Sequence, residues 1–330
     1  MTYDVFGVGN AIVDLVTEVN HDFFEKNNVE KGVMTLVDDK RQDELMKAIP
    51  MGKSKMSGGG SAGNTIVALN QFGGKGFYSC LVAHDDFGKF YLDDLAHHGV
   101  ATNLKFENCP VGHTGRCLVM TSPDAQRTMN TYLGVSSFLS PQHLDENAIR
   151  NSKYIYLEGY LVASPKGLDA MKEAKRIAEQ NKVNVALTFS DPSMVKYFAQ
   201  QMNEIVGASV DLLFCNDEEA MIFTGTNSLS EAREKLRQAA KHFVITLGAN
   251  GAIVFDGDTF ITIEPYAARA VDTNGAGDMF AGAFLYGINH GHSYAGSGKL
   301  ASLASSHVVR QWGPRLQKNE VHKILSELHS

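Results

Sequence analysis

Lys153-Tyr154-Ile155-Tyr156-Leu157, Val183-Asn184-Val185-Ala186-Leu187-Thr188-Phe189, Asp211-Leu212-Leu213-Phe214-Cys215 and His242-Phe243-Val244-Ile245-Thr246-Leu247 are short apolar runs spaced along the second half of the chain. Each is too short for an ordinary helix and rich in β-branched and aromatic residues, which predicts buried strands. Between them lie helical patterns, two opening on Ser164-Pro165 and Asp191-Pro192 and a third on Glu218-Glu219-Ala220-Met221. A Ser or Asp oxygen before proline supplies an N-cap ahead of a residue that needs no N–H partner, so helices are expected to about Gln180 and Val206. Strand-helix-strand repetition predicts an α/β fold, a three-layer α/β/α sandwich around a mainly parallel central sheet.

Two stretches, residues 13–45 and 107–135, break the rhythm. They carry strand-like runs such as Leu15-Val16-Thr17-Glu18-Val19, Met34-Thr35-Leu36-Val37 and Thr114-Gly115-Arg116-Cys117-Leu118-Val119-Met120, with no helical period. The expected organisation is an α/β core of residues 1–12, 46–106 and 136–330, with the two insertions forming a small β lid over the carboxyl edge of the main sheet, where open α/β sheets bind ligands. The 330 residues suffice for one large core. A net charge of −7 without a long basic run argues against nucleic acid or an anionic membrane surface as partner. Four scattered cysteines, with no signal peptide or spanning segment, read as reduced thiols of a cytoplasmic protein.

Two motif matches fail. Gly52-Lys53-Ser54 lacks the first glycine of a phosphate loop, Lys47 standing there, and Pro50 interrupts it. Gly7-Val8-Gly9 follows a strand, but Ile12 holds the third glycine position of a dinucleotide fingerprint. The strongest signal is Asp272-Thr273-Asn274-Gly275-Ala276-Gly277-Asp278, running into the helical pattern of Met279 to Leu285. Gly275, Ala276 and Gly277 then occupy a first helical turn, whose N–H groups have no intrahelical partner and whose dipole favours an anion. Such a turn suits a transferring phosphoryl group, and Asp278 beside it is placed to take the proton of an acceptor hydroxyl.

With these residues the chain resembles the ribokinase-like (PfkB-type) carbohydrate and nucleoside kinases, and within them the adenosine kinases. The resemblance covers essentially the whole chain and implies an ATP-dependent transfer to the 5′-hydroxyl of a ribonucleoside, adenosine first. A free sugar, inosine or guanosine is the alternative acceptor. It implies an acceptor site of Asn10 and Asp14 in Gly9-Asn10-Ala11-Ile12-Val13-Asp14, of Gly59, Gly60 and Asn64 in Gly58-Gly59-Gly60-Ser61-Ala62-Gly63-Asn64, and of Asn274. Met129, Leu161 and Met34 would form an apolar slot for a base, although relatives carry a stacking aromatic at Leu161 and a polar amide at Met34. Arg127 would reach the transferring phosphate. ATP would meet Thr246, Gly248 and Gly251, the small-residue helix carrying Ser302 and Ser305, and Asn216, which with Glu219 would organise Mg²⁺. Asp272 and Asn274 would shape a K⁺ site. A monomer is implied, with a dimer through the lid edge as the other possibility.

Overall fold

The structure is a computed structural model describing residues 2–49, 55–124 and 126–328, without the side chains of Arg127, Lys318 and Leu328. Gly52-Lys53-Ser54 lies outside the described residues. The main sheet holds β1 (Tyr3–Val8), β5 (Gly76–Ser79), β8 (Ser152–Glu158), β9 (Asn184–Thr188), β10 (Val210–Asn216), β11 (Ala240–Thr246), β12 (Ala252–Phe255) and β13 (Phe260–Ile263). Their order is β13-β12-β11-β10-β9-β8-β1-β5. All pairings from β5 to β11 are parallel, and β12 and β13 add an antiparallel edge. Side-chain alternation along each strand divides the core into two layers. Val5, Tyr156, Phe214 and Val244 face the helices Ser61–Gln71, Ala276–Asn289 and Tyr294–Val308. Phe6, Ile155, Leu157, Leu213 and Phe243 face Pro165–Gln180 and Ala199–Val206. The α/β architecture is as expected.

A second sheet, in the order β3-β7-β6-β2-β4, is built from β2 (Ile12–Glu18), β3 (Met34–Leu36), β4 (Lys55–Gly59), β6 (Gly115–Thr121) and β7 (Arg127–Tyr132). Here the sequence reading needs correcting. Lys55–Gly59, placed in the core range 46–106, pairs antiparallel with β2 and so belongs to the small sheet. Two glycines and a serine in five residues gave it no strand signature; pairing with β2 decides its conformation. The 13–45 stretch also contains the helix His21–Lys26 and the start of Asp39–Ala48, which crosses the expected boundary at residue 46; they are capped by Asn20 and Asp38. The stretch expected as one helix from Asp191 to about Val206 is two, Pro192–Tyr197 and Ala199–Val206, broken at Phe198.

Candidate active site

Two helices begin side by side at the carboxyl edge of the main sheet. Gly282 lets Ala276–Asn289 lie against Ser61–Gln71, because a Cβ there would come within 2.5 Å of both Ala68 Cβ and Thr65 O. Each helix is entered through a glycine with positive φ, Gly60 at 83° and Gly275 at 74°, a region that costs other residues strain. The close approach brings the two first turns together. Ser61 Oγ donates to Asp278 Oδ1 at 2.7 Å, and Asn64 Nδ2 donates to Asp278 Oδ2 at 3.1 Å. Burial pushes the Asp278 carboxyl up to about 6, the two hydrogen bonds opposing the shift. Its conjugate base is thus populated at neutral pH and basic enough to accept a proton. Gly277 sits beside it with nothing within 4 Å of where a Cβ would stand, so the first turn is open on that side.

The turn faces a cavity of about 530 Å³. Its floor includes Asn10, Asp14, Gly60, Ser61, Asn64, Glu158 and Thr273 to Asp278; its lid wall is apolar, with Ile12, Met34, Val119, Met129 and Leu133. Leu161 borders the same space. Asn64 borders the cavity but is only 4% exposed, and its Oδ1 is buried without a partner, an acceptor that a small rotation of the amide would turn to a ligand. Asp14 is held at the junction of the sheets. The register sets Ile12 opposite Gly59, and a Cβ on Gly59 would strike the Asp14 carboxyl at 2.6 Å. The side chain of Arg127 lies outside the described residues; its backbone starts β7, opposite Thr121.

The residues read as the ATP side do not line this cavity. Gly248, at φ 57°, and Gly251, at φ 84°, bound a single turn after β11, where nothing lies within 4 Å of a Cβ on Gly248. Thr246 Oγ1 bonds back to Cys215 O. Asn216 and Glu219 form a reciprocal capping box: Glu219 N donates to Asn216 Oδ1 at 2.8 Å, while Glu219 accepts from Asn216 N at 2.9 Å and Asn216 Nδ2 at 3.1 Å. Ser302 and Ser305 donate to Glu264 O and Ala276 O, so their hydroxyls serve helix packing. Asp272 accepts from the amides of Asn274 at 2.7 Å and Gly313 at 3.0 Å. Pro314 then abuts Gly275, where a Cβ would meet Pro314 Cβ at 2.3 Å. Arg315 turns inward to pair with Asp94 beside Gly58.

A family model for pfkB carbohydrate kinases matches residues 33–320 of the chain. The chain belongs to the pfkB family. It is a phosphotransferase, and kinases of this family use ATP with Mg²⁺. An adenosine kinase from Sinorhizobium meliloti is 33% identical, with a TM-score of 0.91 over 99% of this chain and 100% of that one. A "probable sugar kinase protein" from Rhizobium etli is 34% identical, with a TM-score of 0.90 over 99% of each chain. The adenosine kinase of Saccharomyces cerevisiae is 26% identical over 97% of this chain and 99% of its own length. No helix among the described residues is long and apolar enough to cross a membrane.

The structure adds residues to this candidate site that motif reading missed. Glu158, 1% exposed, accepts from Asn10 N at 3.1 Å, Asn10 Nδ2 at 2.7 Å and Ala62 N at 2.8 Å. One buried carboxyl therefore fixes both the Asn10 turn and the start of the helix Ser61–Gln71, whose Ser61 and Asn64 donate to Asp278. The signal was present: Glu158 ends an apolar strand at the sheet's carboxyl edge, where a charge has no packing reason to be. Tyr160 and Asp191 also border the cavity. Desolvation pushes Glu158 and Glu219 each up to about 7. The linkage sign is fixed by these shifts: the folded state binds more protons than the unfolded state between about pH 4 and 7, so the stability these groups contribute is full below that window and lost as pH rises through it. Asp4, held below its ordinary value by Lys153, Lys75 N and His290 against the opposing effect of burial, acts oppositely and only at lower pH. His98 and His143, whose pKa burial lowers, act against these carboxyls over the same range. The urea midpoint should be lower at pH 7.5 than at pH 5 where Asp278, Glu158 and Glu219 dominate; a higher one would mean the histidines outweigh them.

Proposed function

We propose that the chain transfers the γ-phosphoryl group of ATP to the 5′-hydroxyl of adenosine. The observation that carries this reading is the cavity itself, with a raised, doubly hydrogen-bonded carboxyl on its floor and a lid wall of Met34, Met129, Val119 and Leu133 suited to the face of a base. A free sugar would leave that wall without an apolar partner. The ribose lies on the polar floor, where Asn64 Oδ1 and Asp14 accept from its vicinal hydroxyls and Gly59 and Gly60 admit close approach. Asn10, fixed by Glu158, and Asn274 complete that floor. Asp278 takes the hydroxyl proton as the new O–P bond forms and the bond from the γ-phosphorus to the ADP oxygen breaks. The N–H groups of Gly275 and Gly277 face the charge that develops on the phosphoryl oxygens, Ala276 N joins them by giving up its 3.3 Å bond to Thr273 O, and Arg127 adds a cation from the lid.

ATP would approach over Thr246, Gly248 and Gly251, with Ser302 and Ser305 keeping the adjoining helix close. Glu219 fits a nearby divalent cation: beyond desolvation, the neighbouring carboxylates Asp191, Glu218 and Asp217 raise its pKa, so negative charge gathers there. Asn216, Glu219 and Asp191 would hold Mg²⁺ through its waters, an arrangement that needs no cluster of direct ligands, and none is found among the described residues. Bound there, Mg²⁺ would neutralise phosphate charge. Asp272, by drawing the Asn274 and Gly313 amides inward, would orient the carbonyls of a K⁺ site. The test is an ADP-release screen of adenosine, inosine, guanosine, ribose and fructose with ATP. Adenosine should show the highest kcat/KM; preference for a free sugar would overturn the nucleoside reading and leave the phosphoryl-transfer chemistry standing.

A further inference from the structure

We infer that Ser190 is a further catalytic residue, whose hydroxyl adds a donor to the transferring phosphoryl group beside those of Gly275 and Gly277. This rests on the phosphoryl path proposed above, not on the nature of the acceptor. Ser190 borders the cavity, in the stretch Phe189-Ser190-Asp191 that follows β9.

The backbone is unusual here. Ser190 has φ 69°, and Asp191 N donates to Phe189 O at 2.8 Å across it. A bond between residues two apart around a positive φ is the γ-turn in its rare, strained form. Among the described residues, the other non-glycines with positive φ are Asn28 and Lys182, each just past the end of a helix, where that conformation is ordinary. Ser190 instead follows a strand, and its surroundings hold it in place. Phe189 is fully buried, its ring 4.7 Å from that of Phe223. Gly159 lets the turn in close, since a Cβ there would come within 2.5 Å of Thr188 O and 2.6 Å of Phe189 O. A serine kept under strain, at a position where glycine would be free of it, points to a use for the side chain.

The fold itself makes no use of it. Ser190 N is satisfied by Thr188 Oγ1 at 3.2 Å, and Asp191 accepts from Ser193 N at 2.8 Å to start Pro192–Tyr197. Ser190 Oγ is buried without a partner in a residue that borders the cavity, so one rotamer step brings the hydroxyl to a ligand. The neighbours indicate which ligand. Burial first, then the carboxylates of Asp191, Asp278, Glu158 and Glu219, hold the Tyr160 phenol well above its ordinary value, so these four groups gather around one ring of the cavity wall. Ser190 adjoins the first of them. Its hydroxyl therefore belongs to the stretch between Asp278 and Glu219, which the γ-phosphoryl group crosses on its way to the acceptor. Among so many carboxylates, a neutral donor meets a phosphoryl oxygen without repulsion.

The experiment measures thermal melts and steady-state ADP release for Ser190→Gly and Ser190→Ala, with ATP and whichever of adenosine and ribose the wild type turns over faster. Ser190→Gly relieves the turn and should melt at or above the wild type; Ser190→Ala keeps the strain and should melt below Ser190→Gly. Both should lose kcat by a similar factor, about 10- to 10²-fold, because the hydroxyl acts on the transition state. The KM values of ATP and of the acceptor should stay within about threefold of the wild type. Wild-type kcat in a folded Ser190→Gly overturns the inference, since the turn then serves the fold alone. So does a loss confined to Ser190→Ala, which the missing hydroxyl does not explain, or one confined to the acceptor KM, which would put the hydroxyl on the acceptor. Failure of both variants to fold overturns it too, by making the hydroxyl a structural group. A wild-type preference for ribose sinks the nucleoside reading and leaves the Ser190 assignment to stand or fall on its own variants.

Discussion

Asp278→Asn should lose kcat by about 10²- to 10⁴-fold while the protein melts as the wild type does. The hydrogen-bond arrangement explains why the fold should tolerate it. The new amide keeps one oxygen for Ser61 Oγ, and its NH₂ faces Asn64, whose Oδ1 is buried without a partner; rotation of the Asn64 amide pairs the two. A carboxyl with a pKa of about 6 is replaced by a group that accepts no proton. Wild-type kcat/KM should accordingly rise with pH through about 6 and then level, whereas the residual activity of the variant should lose that inflection. Near-normal turnover at pH 7.5 would remove Asp278 from the role of base.

Gly277→Ala separates the two reasons a glycine can stand in a helix. Nothing lies within 4 Å of the added Cβ, and the backbone there needs no positive φ. Stability should stay level or rise by about 0.5–1 kcal/mol, since alanine is the better helix former and restricts the unfolded chain. Turnover should nevertheless fall by about 10²-fold if the phosphoryl group lies over this turn as proposed, because the methyl group would stand where its oxygens approach, and a displacement of ~1 Å is enough for that loss. Unchanged kcat in a folded variant would mean that the transferring group does not lie over this turn. Gly275 offers no such separation, since its φ and its contact with Pro314 make any side chain there a structural lesion as well.

What the sequence made legible was set by local chemistry. Proline after Ser164 and Asp191 marked helix starts, apolar runs marked parallel strands, and Gly275 to Asp278 marked a helix entry able to hold an anion. Lys55–Gly59 escaped because its strand character comes from pairing with β2, a contact between stretches some forty residues apart. The break at Phe198 escaped because the amphipathic period runs through it. At the site, Asp278, Asn64, Asn10, Asp14, Met34, Met129 and Leu161 border one cavity, whereas Gly59 does not line it. Glu158 was passed over because its part is long-range: it binds Asn10 and Ala62, 148 and 96 residues away. Asn216 and Glu219 carry a motif that is at once a capping box and a cation signal, and spacing alone does not divide those uses.

The segment from Gly313 to Leu316 has a further meaning for how this protein comes into being. It reaches the phosphoryl-transfer loop through Gly313 N to Asp272 and Pro314 against Gly275, and the acceptor side through Arg315 to Asp94 and Gln71 Nε2 to Leu316 O. In order of synthesis these residues follow everything they brace. A growing chain can lay down the acceptor floor and most of the main sheet early, yet it holds an unbraced loop until residues 313–316 leave the ribosome. Catalytic competence should therefore appear as a late, single event in translation, and ribosome-held chains stopping short of Gly313 should be folded in the main and inert.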